Sequence, residues 1–209
     1  MTNWLERLTG ETQARLLGLL RRSRQTITSL ANALGLTDNA VRLHIAALRR
    51  DGIVADVGTQ RDTGGKPARL YGLTREGEEL FPKAYALVLG KLVEEIVRTQ
   101  GRERAIELLR AVGAQAATGA STATNPQQRL AAAAAVFRDL GSDAQVEKSA
   151  QGWRLQAYGC PLSAVTADHP EMCELGKALV EEVVGAQVTE CCQRGDHPRC
   201  GFELSANAM

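Results

Sequence analysis

The sequence has no long apolar run: nothing in its 209 residues approaches the ~20 consecutive apolar positions needed to span a bilayer. Its opening, Met1-Thr2-Asn3-Trp4-Leu5-Glu6-Arg7, lacks the basic-then-apolar order of a secretory signal. These two absences predict a soluble, cytoplasmic chain with no membrane partner. Cysteine is missing from everything before Cys160. The five present, Cys160, Cys173, Cys191, Cys192 and Cys200, all fall in the last quarter. An odd number in a reducing compartment argues against a disulfide framework. There is no local Cys-x-x-Cys, so any site these residues form must be assembled by folding. Histidine is scarce too, with three in all. A cysteine nucleophile needs a positioned base. Only His169 and His197 lie near the cysteines in sequence, and neither sits in a recognisable catalytic motif, so an enzyme is not expected.

What is there is enough apolar residue, 44%, to bury a core, and a length that suits two modest domains. The net charge of +1 hides a division. Residues 1–83 hold 13 Lys+Arg against 9 Asp+Glu, a net +4, and residues 84–209 hold 12 against 15, a net −3. Attraction to phosphate, if present, belongs to the N-terminal part.

That part reads as a winged helix-turn-helix. Leu16, Leu17, Leu19 and Leu20 give an apolar stripe to a helix over 12–22. A short helix over 27–34 stops at Gly35, and Thr37 is a fitting N-cap for a third, with Val41, Ile45 and Leu48 at helical spacing on its core face. Two apolar runs, 53–58 and 68–73, flank a polar, glycine-rich segment, which predicts a β-hairpin wing. In such a module the second helix enters the major groove. Asn39, Arg42, Leu43 and Arg49 face away from the core stripe, and Arg42 and Asn39 are the side chains suited to bidentate contacts with guanine and adenine. Thr37 can add a phosphate contact, and Arg61 and Lys66 at the wing tip can reach backbone or minor groove.

The rest predicts a helical dimerisation linker over 84–120, whose first helix carries an apolar face from Leu87 to Val97 that needs a partner, and an α+β domain over 121–209. The whole is therefore expected to be α+β, with domains at 1–83, 84–120 and 121–209. In the last domain a helix starts at Asn125-Pro126, strands lie near 144–149, 153–158, 187–192 and 199–204, and a helix covers 170–184. Thiolates hold both structural zinc and iron–sulfur clusters. Cys160 lies at a strand-to-helix corner, Cys173 near a helix start, Cys192 at the end of one strand and Cys200 at the start of the last. These four can converge. Neighbouring strand residues face opposite sides, and Cys192 shares the parity of apolar Val188, which leaves Cys191 spare.

The segments Ala40-Val41-Arg42-Leu43-His44-Ile45 and Gly64-Gly65-Lys66-Pro67-Ala68-Arg69-Leu70-Tyr71-Gly72-Leu73-Thr74, followed by Glu76-Gly77, resemble the ArsR-type winged-helix regulators related to the SufR family. SufR-type proteins repress iron–sulfur-cluster assembly genes, and the resemblance implies a transcription regulator of that kind; the mechanism expected for it is a homodimer on an inverted-repeat operator in double-stranded DNA. It also implies an iron–sulfur cluster, of the 4Fe-4S type, in the cysteine-rich sensor domain. The spacing Cys160-x12-Cys173 and the ending from Gly195-Asp196 to Cys200 are similar to that family. The stretch between Cys173 and Cys200 departs from it, which leaves open whether the last ligand is Cys, His169, His197, Glu190 or none. Glu190, Gly195-Asp196 and Cys200-Gly201-Phe202 are also similar to vinyl-reductase-like ligand-binding domains, in which the cysteines would be a zinc staple beside an apolar pocket.

Overall fold

The computed structural model describes residues 3–60, 67–117, 123 and 125–205, and the chain divides into two compact units, Met1–Lys83 and Ala84–Met209. The expected wing tip with Arg61 and Lys66, and most of the expected loop over 118–124, lie outside the described residues.

The first unit runs α1 (Asn3–Thr9), α2 (Glu11–Arg22), α3 (Ile27–Leu34), α4 (Asp38–Arg50), β1 (Val54–Gln60), β2 (Ala68–Leu73) and α5 (Arg75–Glu79). Its core is built from Leu16, Leu17 and Leu20 of α2, Leu30 of α3, Val41, Ile45 and Leu48 of α4, and Val54. The stop and start between α3 and α4 follow the sequence: Gly35 takes the left-handed conformation at φ 70°, and Thr37 Oγ1 accepts from Ala40 N at 3.2 Å. The strands pair antiparallel with a register shift between Asp56 and Gly58, a bulge of the kind that bends a ribbon. Thr74 ties the hairpin off by donating to the Gly52 carbonyl at 2.6 Å and capping α5 through Gly77 N at 3.0 Å. Helix α1 was not expected from the sequence. It is short, and Leu5 is its one residue in the buried core, too little for a periodic signal.

The second unit runs α6 (Tyr85–Gln100), α7 (Arg102–Ala116), α8 (Pro126–Asp139), β3 (Asp143–Ser149), β4 (Gly152–Tyr158), α9 (Ser163–Thr166), a 3₁₀ turn at Pro170–Met172, α10 (Cys173–Val184), β5 (Thr189–Glu190) and β6 (Arg199–Ser205). The strands form one antiparallel sheet in the order β3-β4-β6-β5. Asn125 caps α8 by accepting from Gln128 N at 2.8 Å, with Pro126 in the first turn. Leu130, Ala133, Ala134 and Phe137 of α8 and Leu179, Val180 and Val183 of α10 join Leu155, Phe202 and Leu204 of the sheet in one core. The small alanines allow α8 to lie close. Helix α7 crosses α10 closely, since a Cβ at Gly113 would stand 2.1 Å from the Leu175 carbonyl oxygen. Arg110 of α7 fixes the crossing by bonding Glu174 at 2.8 Å and Glu181 at 2.6 Å. The helical segment expected as a linker is thus built into the second unit. Two other expectations change in detail. The helix over 170–184 begins as a 3₁₀ turn at Pro170–Met172 before the α-helix from Cys173. The strand over 187–192 shrinks to Thr189–Glu190, an edge element paired on one side only, followed by a single bridge between Gln193 and Arg199.

Candidate functional site

In the N-terminal unit, α4 turns Val41, Ile45 and Leu48 inward and leaves Thr37, Asn39, Arg42, Leu43 and Arg49 exposed. Leu43, an apolar side chain, is 69% exposed, so the outward face is not simply a solvated polar one. Asp38 organises its start. Its carboxylate accepts from Thr28 Oγ1 of α3 at 3.0 Å and stands 3.9 Å from Arg42. Sequence reasoning passed over Arg69 of β2, which is paired with Asp56 across the hairpin at 3.1 Å and still largely exposed, and over Arg50, exposed at the end of α4. Arginine on a strand next to a predicted wing is the signal that was available for the first of these.

In the second unit, Cys160, Cys173, Cys192 and Cys200 line one cavity of about 350 Å³ with Phe137, Leu162, Met172 and Phe202 among its walls. They arrive from four places: the turn after β4, the start of α10, the segment after β5, and β6. Cys191 does not line it. It lies against Gly201, where a Cβ would come within 2.7 Å of its sulfur, in the field of Arg154 and Glu203, and burial raises its thiol pKa. Of the two neighbours, Cys192 stands at the cavity and Cys191 does not.

The four thiols perturb one another in sequence, Cys160 with Cys200, Cys200 with Cys192, and Cys192 with Cys173. The Cys200 thiol beside Cys160, helped by the Leu162 N–H, brings Cys160 down to about 7. Cys192 is held well below the usual thiol range by the Cys173 and Cys200 thiols and by the Gly201 N–H, which donates to its sulfur at 3.4 Å. Cys173 is pushed up by the Cys192 sulfur beside it and by burial, and Cys200 by the Cys160 and Cys192 sulfurs and by burial. Cys173, and after it Glu190, raise the Arg194 pKa, and Arg194 bonds Glu190 at 2.8 Å. Burial, and then Cys192, push the Glu190 carboxyl up. The other candidate ligands stand elsewhere. His169 is 3.5 Å from Glu171 in a cleft with Gly90, Lys91 and Glu94, and His197 lines a hollow with Tyr158 and Asp196. Neither lines the cysteine cavity.

Residues 10–56 match the model of the bacterial regulatory protein family arsR. The N-terminal unit carries an arsR-family helix-turn-helix. No curated protein sequence matches the chain. Among solved structures, the adhesin competence repressor AdcR of Streptococcus pyogenes is similar at 21% identity over 52% of this chain and 81% of that one, with a TM-score of 0.30. ZitR of Lactococcus lactis, a C30AH42A mutant in apo form, is similar at 20% identity over 46% and 86%, with a TM-score of 0.27. PadR of Bacillus subtilis in complex with operator DNA is similar at 13% identity over 81% and 92%, with a TM-score of 0.28.

The arsR-type domain is of a DNA-binding regulatory kind, and its exposed α4 face carries Asn39, Arg42 and Arg49, side chains whose polar groups suit contacts with bases and phosphates. The cysteine cavity supplies four soft donors, the number and type that suit an iron–sulfur cluster or zinc. Backbone N–H groups directed at the sulfurs of Cys160 and Cys192 favour their thiolate forms. Among the described residues, no group of three or more His, Cys, Asp or Glu stands ready to hold a metal ion. No helix among them is long and apolar enough to cross a membrane.

Proposed function

We propose that the protein is a transcription repressor whose DNA affinity is controlled by an iron–sulfur cluster held by Cys160, Cys173, Cys192 and Cys200. The observation that carries this reading is the convergence of four cysteines from four separate segments on one cavity, with the fifth excluded. When bound, such a cluster supplies a redox-active, oxidation-labile centre. The chain's own contributions are the four thiols, the backbone donors of Leu162 and Gly201, and the Arg194 cation beside Cys173, which offsets the negative charge of assembled thiolates. The protein acts as a homodimer on an inverted repeat. In support, Tyr85, Leu87, Val88 and Leu92 of α6 are between 56% and 74% exposed, an apolar surface that a second copy would cover. Anaerobic purification and reconstitution with iron and sulfide, followed by ultraviolet-visible spectroscopy, tests the sensing half. A charge-transfer spectrum with bound iron is expected, and a colourless, iron-free protein after careful reconstitution overturns it.

One observation favours a second reading. The walls of the cavity are largely apolar, with Val112, Phe137, Leu162, Leu179 and Phe202 among them, as expected of a small-molecule pocket beside a zinc staple. Tightly bound zinc without iron in protein purified from cells supports that alternative.

A further inference from the structure

The pairing of β5 and β6 continues past β5 in one register. Glu190 opposes Phe202 and Gln193 opposes Arg199, so Cys192 stands directly opposite Cys200. Gln193 and Arg199 exchange both backbone hydrogen bonds, each 2.8 Å. The next position along the ladder, Cys192 with Cys200, is therefore of the non-hydrogen-bonded kind, in which Cα atoms approach to ~4.5 Å. That lies within the ~4.4–6.8 Å over which a disulfide closes without backbone movement. Both residues line the same cavity. The other two pairs, Cys160 with Cys200 and Cys173 with Cys192, join a strand to a loop turn and to a helix start, where no ladder fixes the separation.

We infer that in the metal-free protein Cys192 and Cys200 are a peroxide-oxidisable pair that closes to a cross-strand disulfide, removing two of the four cavity thiols from metal binding. The Cys192 sulfur attacks one oxygen of a hydroperoxide. An S–O bond forms, the O–O bond breaks, and the leaving hydroxide takes up a proton as water. The Cys200 sulfur then displaces the hydroxyl from the Cys192 sulfenic acid, forming S–S and releasing a second water with the Cys200 proton. Two thiols are oxidised by two electrons and one hydrogen peroxide is reduced to two waters. Gly201 N–H, directed at the Cys192 sulfur, favours Cys192 as the attacking group, and Cys192 is also the less buried of the two. The link from this bond to DNA control rests on the proposed function above; the bond itself does not.

The full chain is stripped of metal under reducing conditions, desalted anaerobically, treated with hydrogen peroxide and capped with N-ethylmaleimide in denaturant. The number of cappable thiols is expected to fall from all five cysteines to three, with a mass loss of two hydrogens. Trypsin cuts after Arg194 and Arg199, so the bond joins the peptide ending at Arg194 to the one beginning at Cys200. Cys191 shares the first peptide; C191S must keep the bond, as must C160S and C173S, whereas C192S and C200S must lose it. Five cappable thiols after peroxide, oxidation to sulfinic acid without a link, or a link mapped to Cys160, Cys173 or Cys191 overturns the inference. Iron content and spectra of separate, unstripped protein report on the cluster, so the two ideas fail independently.

Discussion

Replacing Arg42 by alanine separates base reading from mere attraction to DNA. The Arg42 side chain is 63% exposed, and its ion pair with Asp38 spans 3.9 Å between two exposed groups. An exposed i,i+4 pair on a helix is worth ~0.3–0.5 kcal/mol, and alanine, the best helix former, offsets part of that loss. The fold should therefore lose less than about 0.5 kcal/mol, a change within the error of a urea titration. On DNA, a bidentate contact with a guanine contributes ~1–3 kcal/mol of discrimination, which at 1.4 kcal/mol per tenfold is about a 5- to 150-fold loss of affinity per bound domain. The assay is fluorescence anisotropy at fixed salt, on a duplex selected from a random library by the wild-type protein and on an unrelated duplex. Arg42→Ala should weaken the first and leave the second nearly unchanged. If Arg42 contacted only phosphate, both would weaken alike and the salt dependence would fall by ~1 in slope. Equal loss on both duplexes, or no loss on either, refutes base reading by Arg42.

Thr37→Ala removes the cap that accepts from Ala40 N and should destabilise the protein by ~0.5–2 kcal/mol, read as a lower urea midpoint; an unmoved midpoint shows that the cap contributes nothing. Gly113→Ala places a Cβ 2.1 Å from the Leu175 carbonyl oxygen, so α7 and α10 must separate at a cost of ~1–3 kcal/mol. A melting temperature equal to wild type contradicts the close crossing. Cys191→Ser should retain the metal content of wild-type protein and Cys192→Ser should lose it, by elemental analysis of protein purified without oxygen. Equal retention in both removes Cys192 from the ligand set.

The helix-turn-helix was legible because its signals are local. Gly35 stops α3 and Thr37 starts α4 through bonds to residues three or four away, and the period of Val41, Ile45 and Leu48 fixes which face is free. Which of Cys191 and Cys192 faces inward was legible for a similar reason, since strand parity needs only the next residues. The site's surroundings were not. Nothing in the sequence says that Arg194 reaches Cys173, or that His169 pairs with Glu171 away from the cysteines. Those facts depend on where α10 and the hairpin loop settle in space. The strand over 187–192 was overestimated because regular pairing with β6 holds only at Thr189–Glu190, and the register resumes as a single bridge at Gln193 and Arg199; where an edge strand is regular depends on its partner, not on its own residues.

Within the second unit, the cavity and helix α6 share a wall. Leu162, Met172 and Leu175 line the cysteine cavity, and the same three pack with Val93 of α6 and Leu109 of α7. Met172 has no exposed surface, so it cannot move on one side without being felt on the other. Close-packed interiors respond by discrete repacking rather than smooth yielding. Helix α6 in turn has two faces, one seated on that wall through Val93 and one carrying exposed Tyr85, Val88 and Leu92. Under the proposed function, the first face is where a change in the thiols arrives and the second is where the partner copy sits. On that proposal no ligand is needed between the subunits: what the cysteines bind would alter the dimer through α6, whose first turn follows Lys83 at the end of the N-terminal unit.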